Sequence, residues 1–114
     1  MHIDVLHYKD KRSDKIWGYV LDSKQCIVFY GKRKGSLKFI EHASWTSPHY
    51  FVKGENKYGE QYLVPPSAQK TRKGKLAKGY VPVLESEHED YLPESFKESL
   101  MLAKLGMGLR EAVQ

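Results

Sequence analysis

The run Cys26-Ile27-Val28-Phe29-Tyr30 sets the tightest limit on how this chain folds. Apolar side chains, mostly β-branched or aromatic, follow one another there without helical spacing, which is the pattern of a buried strand. Gly31 and Gly35 then bracket Lys32-Arg33-Lys34, and Ser36 to Ile40 resumes the apolar pattern, so the segment reads as a β-hairpin with permissive backbone at both ends of its turn. The three cations at the tip have nowhere to bury and are directed into water or towards an anion.

Further strands flank this hairpin. His2 to Tyr8 sets Ile3, Val5 and His7 against His2, Asp4, Leu6 and Tyr8, as in an opening strand with one dry face. A polar loop follows, with Ser13 and Asp14 as turn formers, and Ile16 to Leu21 is apolar on both faces, as a central strand would be. Asp22-Ser23-Lys24 closes the turn into Cys26, so the first forty residues predict a four-stranded antiparallel meander. Glu41 to Pro48 is irregular around Trp45. His49 to Lys53 and Glu60 to Val64 then form a second pair about the turn Gly54 to Gly59, with Tyr50, Val52, Tyr62 and Val64 on one face and Pro65-Pro66 as its stop.

Ser67 to Lys78 carries five cations and no acid. A short helix capped by Ser67 fits, although Gly74 costs about 1 kcal/mol relative to Ala and Ala68, Leu76 and Ala77 make a poor stripe. Gly79 to Leu84 predicts a last strand, at an edge because Pro82 cannot donate to a ladder. An acidic linker comes next. Pro93 then opens a helix in which Phe96, Leu100 and Ala103 recur at helical spacing, Met101, Leu102, Leu105 and Met107 widen the stripe, and Gly106 and Gly108 mark the end. The expectation is an α+β fold, predominantly antiparallel sheet: a β-rich body over 1–84, an acidic linker over 85–92 and a C-terminal helix over 93–114 that packs on the body or on a partner. With 114 residues, one modest core is available.

Charge divides along the same line. Residues 1–80 hold sixteen Lys and Arg against seven Asp and Glu, whereas 81–114 hold three against seven, which makes a basic body with an acidic end inside a net charge of +5. A basic surface either keeps a small protein soluble or attracts a polyanion. Several alternatives find no support in the sequence. The single Cys26 excludes an internal disulfide, and in an apolar strand its thiol is held protonated. The five histidines lack H-x-x-x-H or Cys-paired spacing, so neither a metal nor another cofactor is expected. Gly31 to Gly35 lies between strands and lacks the helix of a phosphate-cradling loop, and Glu85, Glu87, Glu89 and Asp90 have no scaffold for acid–base work, so no enzyme is expected. No stretch approaches the ~20 apolar residues of a membrane span, and the first residues lack signal-peptide character, which makes the cytoplasm the expected location.

Three short motifs in order, Asp14-Lys15-Ile16-Trp17, Tyr30-Gly31-Lys32 and Lys75-Leu76-Ala77-Lys78-Gly79-Tyr80, resemble the WGR domain over roughly residues 5–84. That module occurs in DNA-dependent poly(ADP-ribose) polymerases and in bacterial proteins, and in the polymerases its Trp-Gly-Arg loop contacts a DNA end. Here Tyr30 stands in place of the Trp, Lys32 in place of the Arg and Lys34 in place of a second glycine, and residues 41–66 are longer than the family's usual route. The resemblance implies a ring at Tyr30 that stacks and an amine at Lys32 that meets phosphate as a point charge without a bidentate fork. Together with the charge clusters it gives a non-enzymatic, phosphate-directed nucleic-acid binder, DNA ahead of RNA, through Tyr30, Lys32, Arg33, Lys34, Lys38, Lys70, Arg72, Lys73, Lys75 and Lys78. The alternative is an interaction module that meets an acidic protein partner. The chain is then a monomer or a weak homodimer through the C-terminal helix.

Overall fold

The computed structural model of this protein describes residues 2–22, 25–44, 52–55, 61–64 and 66–113. Its centre is a five-stranded antiparallel sheet of β1 (His2–Lys9), β2 (Asp14–Asp22), β3 (Gln25–Lys32), β4 (Leu37–Ser44) and β7 (Val81–Pro82), in the order β4-β3-β2-β1-β7. The meander is as expected, and the hairpin register sets Tyr30 opposite Lys38 and Phe29 opposite Phe39. Pro82 lies on the edge strand, opposite Leu6. A separate two-stranded sheet pairs β5 (Val52–Glu55) with β6 (Gln61–Val64), Val52 opposite Val64. Trp45 and the expected strand start at His49 to Phe51 lie outside the described residues.

Both faces of the sheet are dry, which corrects the one-sided reading of β1. Val5 and Leu6 are both fully buried although they point to opposite faces. On one face Leu6, Trp17, Tyr19, Leu21, Cys26 and Val28 pack with Ala68 and Leu76 of α1 (Pro66–Ala77) and with Tyr80. On the other, Val5, Ile16, Val20, Ile27 and Phe29 pack with Phe96 and Leu100 of α2 (Phe96–Val113). A sheet between two helices leaves no half-wet strand among β1, β2 and β3. The Cys26 thiol is buried, and desolvation pushes its pKa up to about 12.

Three local departures have simple causes. The turn after β1 is made by Asp10, whose carboxylate accepts the backbone N–H groups of Arg12 and Ser13 at 2.8 and 2.7 Å, so Asp14 is released to open β2. In the hairpin the left-handed residue is Lys34, with φ of 59°, while Gly35 N–H donates to the Lys32 carbonyl to close the turn. The last helix begins at Phe96, three residues after Pro93, and runs through Gly106 and Gly108 to Val113, because an interior glycine weakens a helix by about 1 kcal/mol without removing its hydrogen bonds.

Gly18 lets the α2 face close. A Cβ there would stand 2.6 Å from the Phe29 ring and would also strike the Asp4 carbonyl. Phe29 in turn meets the Phe96 ring edge-on, with centroids 5.0 Å apart. Phe96→Ala is therefore expected to cost about 3–5 kcal/mol in urea unfolding, and Gly18→Ala about 1–3 kcal/mol through overpacking. An unchanged unfolding midpoint in both variants would contradict this account of the α2 face.

Candidate nucleic-acid interface

Alternation along β3 divides the basic hairpin tip between the two faces of the sheet. Lys32 shares a face with Tyr30 and with Lys15, its direct partner across β2 and β3. An open cavity of about 450 Å³ lies there, lined by Tyr30, Gly31, Lys32, Ser36 and Lys38. Tyr30 is 36% exposed although it belongs to the strand expected to be buried. A side chain at Gly31 would strike the Ser36 carbonyl, its Cβ lying 2.6 Å away, and would crowd Leu37 on the opposite face.

Beside it lies a second cavity of about 310 Å³, lined by Tyr8, Asp10, Lys15, Lys75, Lys78 and Tyr80. Tyr8 is the partner of Lys15 across β1 and β2, and the end of α1 brings Lys75 over the same corner. Lys15 Nζ lies 5.3 Å from the Tyr8 ring centre and Lys75 Nζ 5.1 Å from that of Tyr80, both in cation–π range. Desolvation lowers the Lys75 pKa, and the neighbouring charges of Lys78 and Lys15 lower it further. Tyr8 donates its hydroxyl to Asp10 Oδ2 at 2.9 Å, and this bond raises the Tyr8 pKa. Tyr80 is buried, which raises its pKa as well, so its ring forms a wall of the cavity.

Lys15 therefore joins the two basic segments, facing Lys32 on one side and acting on Lys75 on the other. Neither Tyr8 nor Lys15, which the sequence shows only as part of the Asp14 to Trp17 motif, was among the residues expected at the interface. The available signal was registry: once β1 and β2 pair about the Asp10 turn, Tyr8, Lys15 and Lys32 fall in one row across the sheet.

The other residues expected at the interface lie elsewhere. Arg33 and Lys34 fasten the acidic segment, a 3-10 turn over Glu85–Asp90, to the end of the sheet. Arg33 Nε donates to the Asp90 carbonyl at 2.8 Å, and its guanidinium covers the Tyr91 ring at 4.6 Å. Lys34 donates its amine to the Glu89 carbonyl and its backbone N–H to the Tyr91 carbonyl. Tyr91 packs with the cluster beneath α2, so this clasp belongs to the opposite face. Arg72 Nε donates to Asp4 Oδ2 at 2.6 Å, in an ion pair that ties α1 to β1. Lys70 and Lys73 are exposed on α1, on the side turned away from buried Ala68.

Nothing in the described part resembles a metal centre: no three of its His, Cys, Asp and Glu side chains group to hold an ion. No helix among the described residues is long and apolar enough to cross a membrane. Comparison with protein families, with characterised proteins and with solved structures gives no match.

The clasp is testable through Asp14, which receives a 2.6 Å hydrogen bond from His7 and lies 3.8 Å from the Arg33 guanidinium. The His7 bond, with the charges of His7 and Arg33, lowers the Asp14 pKa, and the amide of Arg12, the Tyr8 hydroxyl and the amide of Ser13 lower that of Asp10. Carboxylates held low in the folded state stabilise it above the usual value near ~4 and lose that contribution as the pH falls through the folded value. Urea midpoints are expected to drop from about pH 4 downward, less so in Asp14→Asn. Arg33→Ala should speed amide exchange in residues 85–96 while Lys32→Ala leaves it unchanged; equal effects would argue against a clasp.

Proposed function

We propose that this protein binds nucleic acid without catalysis, through the phosphate backbone and with little sequence preference, on the face that carries Lys38, Lys32, Lys15, Lys75 and Lys78. The observation that carries the reading is the position of Lys15, which makes one cationic track out of the β3–β4 hairpin and the end of α1, distant in the chain. The side-chain amines of Lys32, Lys38 and Lys78 form no hydrogen bond or ion pair with any described residue. A fold gains nothing by placing like charges opposite one another across a strand pair, and such pairs are destabilising. A polyanion relieves that repulsion and releases its own counterions on binding.

From the WGR resemblance the reading keeps Tyr30 as a ring available to a sugar or base and Lys32 as a phosphate contact. Arg33 and Lys34 serve structure, Arg72 braces α1, and Lys70 and Lys73 lie outside the track. DNA is the expected ligand ahead of RNA, and the domain works in the cytoplasm.

A second reading, an interaction module, is favoured by α2. Past Leu100 it exposes Met101, Leu102 and Leu105 at 64%, 70% and 60%, side chains that the sheet does not cover. Leu102→Glu with Leu105→Glu should leave the sheet intact, and a smaller particle in sedimentation would identify this stripe as a contact between copies.

Binding of a labelled oligonucleotide at ~50 and ~200 mM salt tests the main reading. Affinity should fall with a log–log slope of about −0.7 to −0.9 per phosphate contacted. Lys15→Ala and Lys75→Ala should each reduce that slope by about one phosphate, whereas Lys70→Ala and Lys73→Ala should not. Failure to bind any oligonucleotide in dilute buffer, or equal effects of all four substitutions, would remove the proposal.

A further inference from the structure

Resting on that reading, we propose that the strand this face accepts is single rather than duplex. Each of the two cavities pairs a tyrosine ring with amines: Tyr30 with Lys32 and Lys38, and Tyr8 with Lys15, Lys75 and Lys78. Tyr30 and Tyr8 lie on β3 and β1, two strand spacings apart and offset along the strands, on the order of 12 Å at ~4.8 Å per strand and ~3.4 Å per residue. Lys15 and Lys32 fill the interval. Ring, amine pair and ring in succession match base, phosphate and base of an extended strand, in which every base offers a face for stacking. In a duplex those faces are spent on neighbouring base pairs, and both rings would go unused.

Shape points the same way. α1 lies on this face above the strands that hold Leu6, Trp17, Tyr19 and Leu21, and a helix with its side chains stands about 10–12 Å across. Beside that wall the open floor is the hairpin end of β3 and β4, where Tyr30 and Ile40 are 36% and 44% exposed, whereas Cys26 and Val28 farther along β3 are buried. Two strands are ~10 Å wide, whereas the major groove of DNA alone measures about 12 Å. A duplex rests on the rim of α1 while a single strand lies on the floor. Asp10, the one carboxylate among the described residues lining the second cavity, has its oxygens engaged by the Arg12 and Ser13 amides and the Tyr8 hydroxyl, and three lysines line the same cavity.

The test compares one labelled 12-mer, without terminal phosphates, as a single strand and as a blunt duplex, in DNA and in RNA, by fluorescence anisotropy at two salt concentrations. Single strands should bind at least tenfold more tightly than the duplex in either chemistry. Tyr30→Leu should weaken single-strand binding about tenfold and leave the salt slope unchanged, and Tyr30→Phe should restore it, with the urea midpoint of each variant confirming an intact fold. Duplex binding as tight as single-strand binding, or a Tyr30→Leu variant that folds and binds like the parent, overturns the inference while the phosphate reading stands. Loss of all binding to every oligonucleotide overturns both.

Discussion

The two-residue period of a strand buried on both faces governs where every charge on this molecule can go. β2 and β3 carry buried side chains on both sides along most of their length and β1 does so at Val5 and Leu6, so most polar residues fall at the strand ends and turns, and each inherits its face from its position. Lys15, Lys32 and Tyr8 are thereby committed to the α1 side, and His7, Asp14 and Arg33 to the α2 side. One residue's shift of register would exchange the two sets. Phe29 lying over the bare backbone of Gly18 is one of the contacts that forbids such a shift, because no neighbouring position tolerates that approach.

This partition explains how a basic track survives beside an acidic segment. The 3-10 turn over Glu85–Asp90 is hydrogen-bonded to the hairpin tip, yet the clasp engages its backbone carbonyls, with Arg33 and Lys34 as donors. Glu85, Glu87, Glu89 and Asp90 remain exposed, and none of them lines either cavity. Neutralisation within the molecule is thus avoided by geometry. The clasp also delivers Leu92 and Phe96 onto the sheet, so the cations at the tip serve α2 as well as solubility.

The fold was legible in the sequence where local pattern and tertiary demand agree. The apolar run at Cys26 to Tyr30, the glycine-bracketed turn, the proline on the edge strand and the periodic stripe from Phe96 to Leu100 each point to one solution. The site was less legible because adjacency in sequence is a poor guide to adjacency on a sheet. Lys32, Arg33 and Lys34 form one cluster as text and two in space, since neighbouring residues of a strand point apart. Lys15 was hidden for the converse reason: it opens β2 after a stretch of mixed charge and meets Lys32 only through strand pairing. Arg72 was counted as surface charge because a helix stripe was judged by its apolar members, although an arginine four residues after Ala68 completes that stripe with an ion pair.

The opposite placement of the two helices has a functional consequence. α1 borders the cationic track and contributes Lys75 to it, whereas α2 covers the reverse face and presents Met101, Leu102 and Leu105 away from the track. A polyanion on one side and a protein contact on the other would share no side chain. Coupling between them would have to pass through the sheet, whose close-packed interior transmits strain and leaves little slack. The shortest covalent link is the hairpin tip, where Lys32 faces the track and the next residue, Arg33, holds the segment that leads into α2. On the proposed reading, a ligand that drew Lys32 towards its phosphate would pull on the residue next to the clasp, so the two surfaces are adjacent along the chain although they face apart.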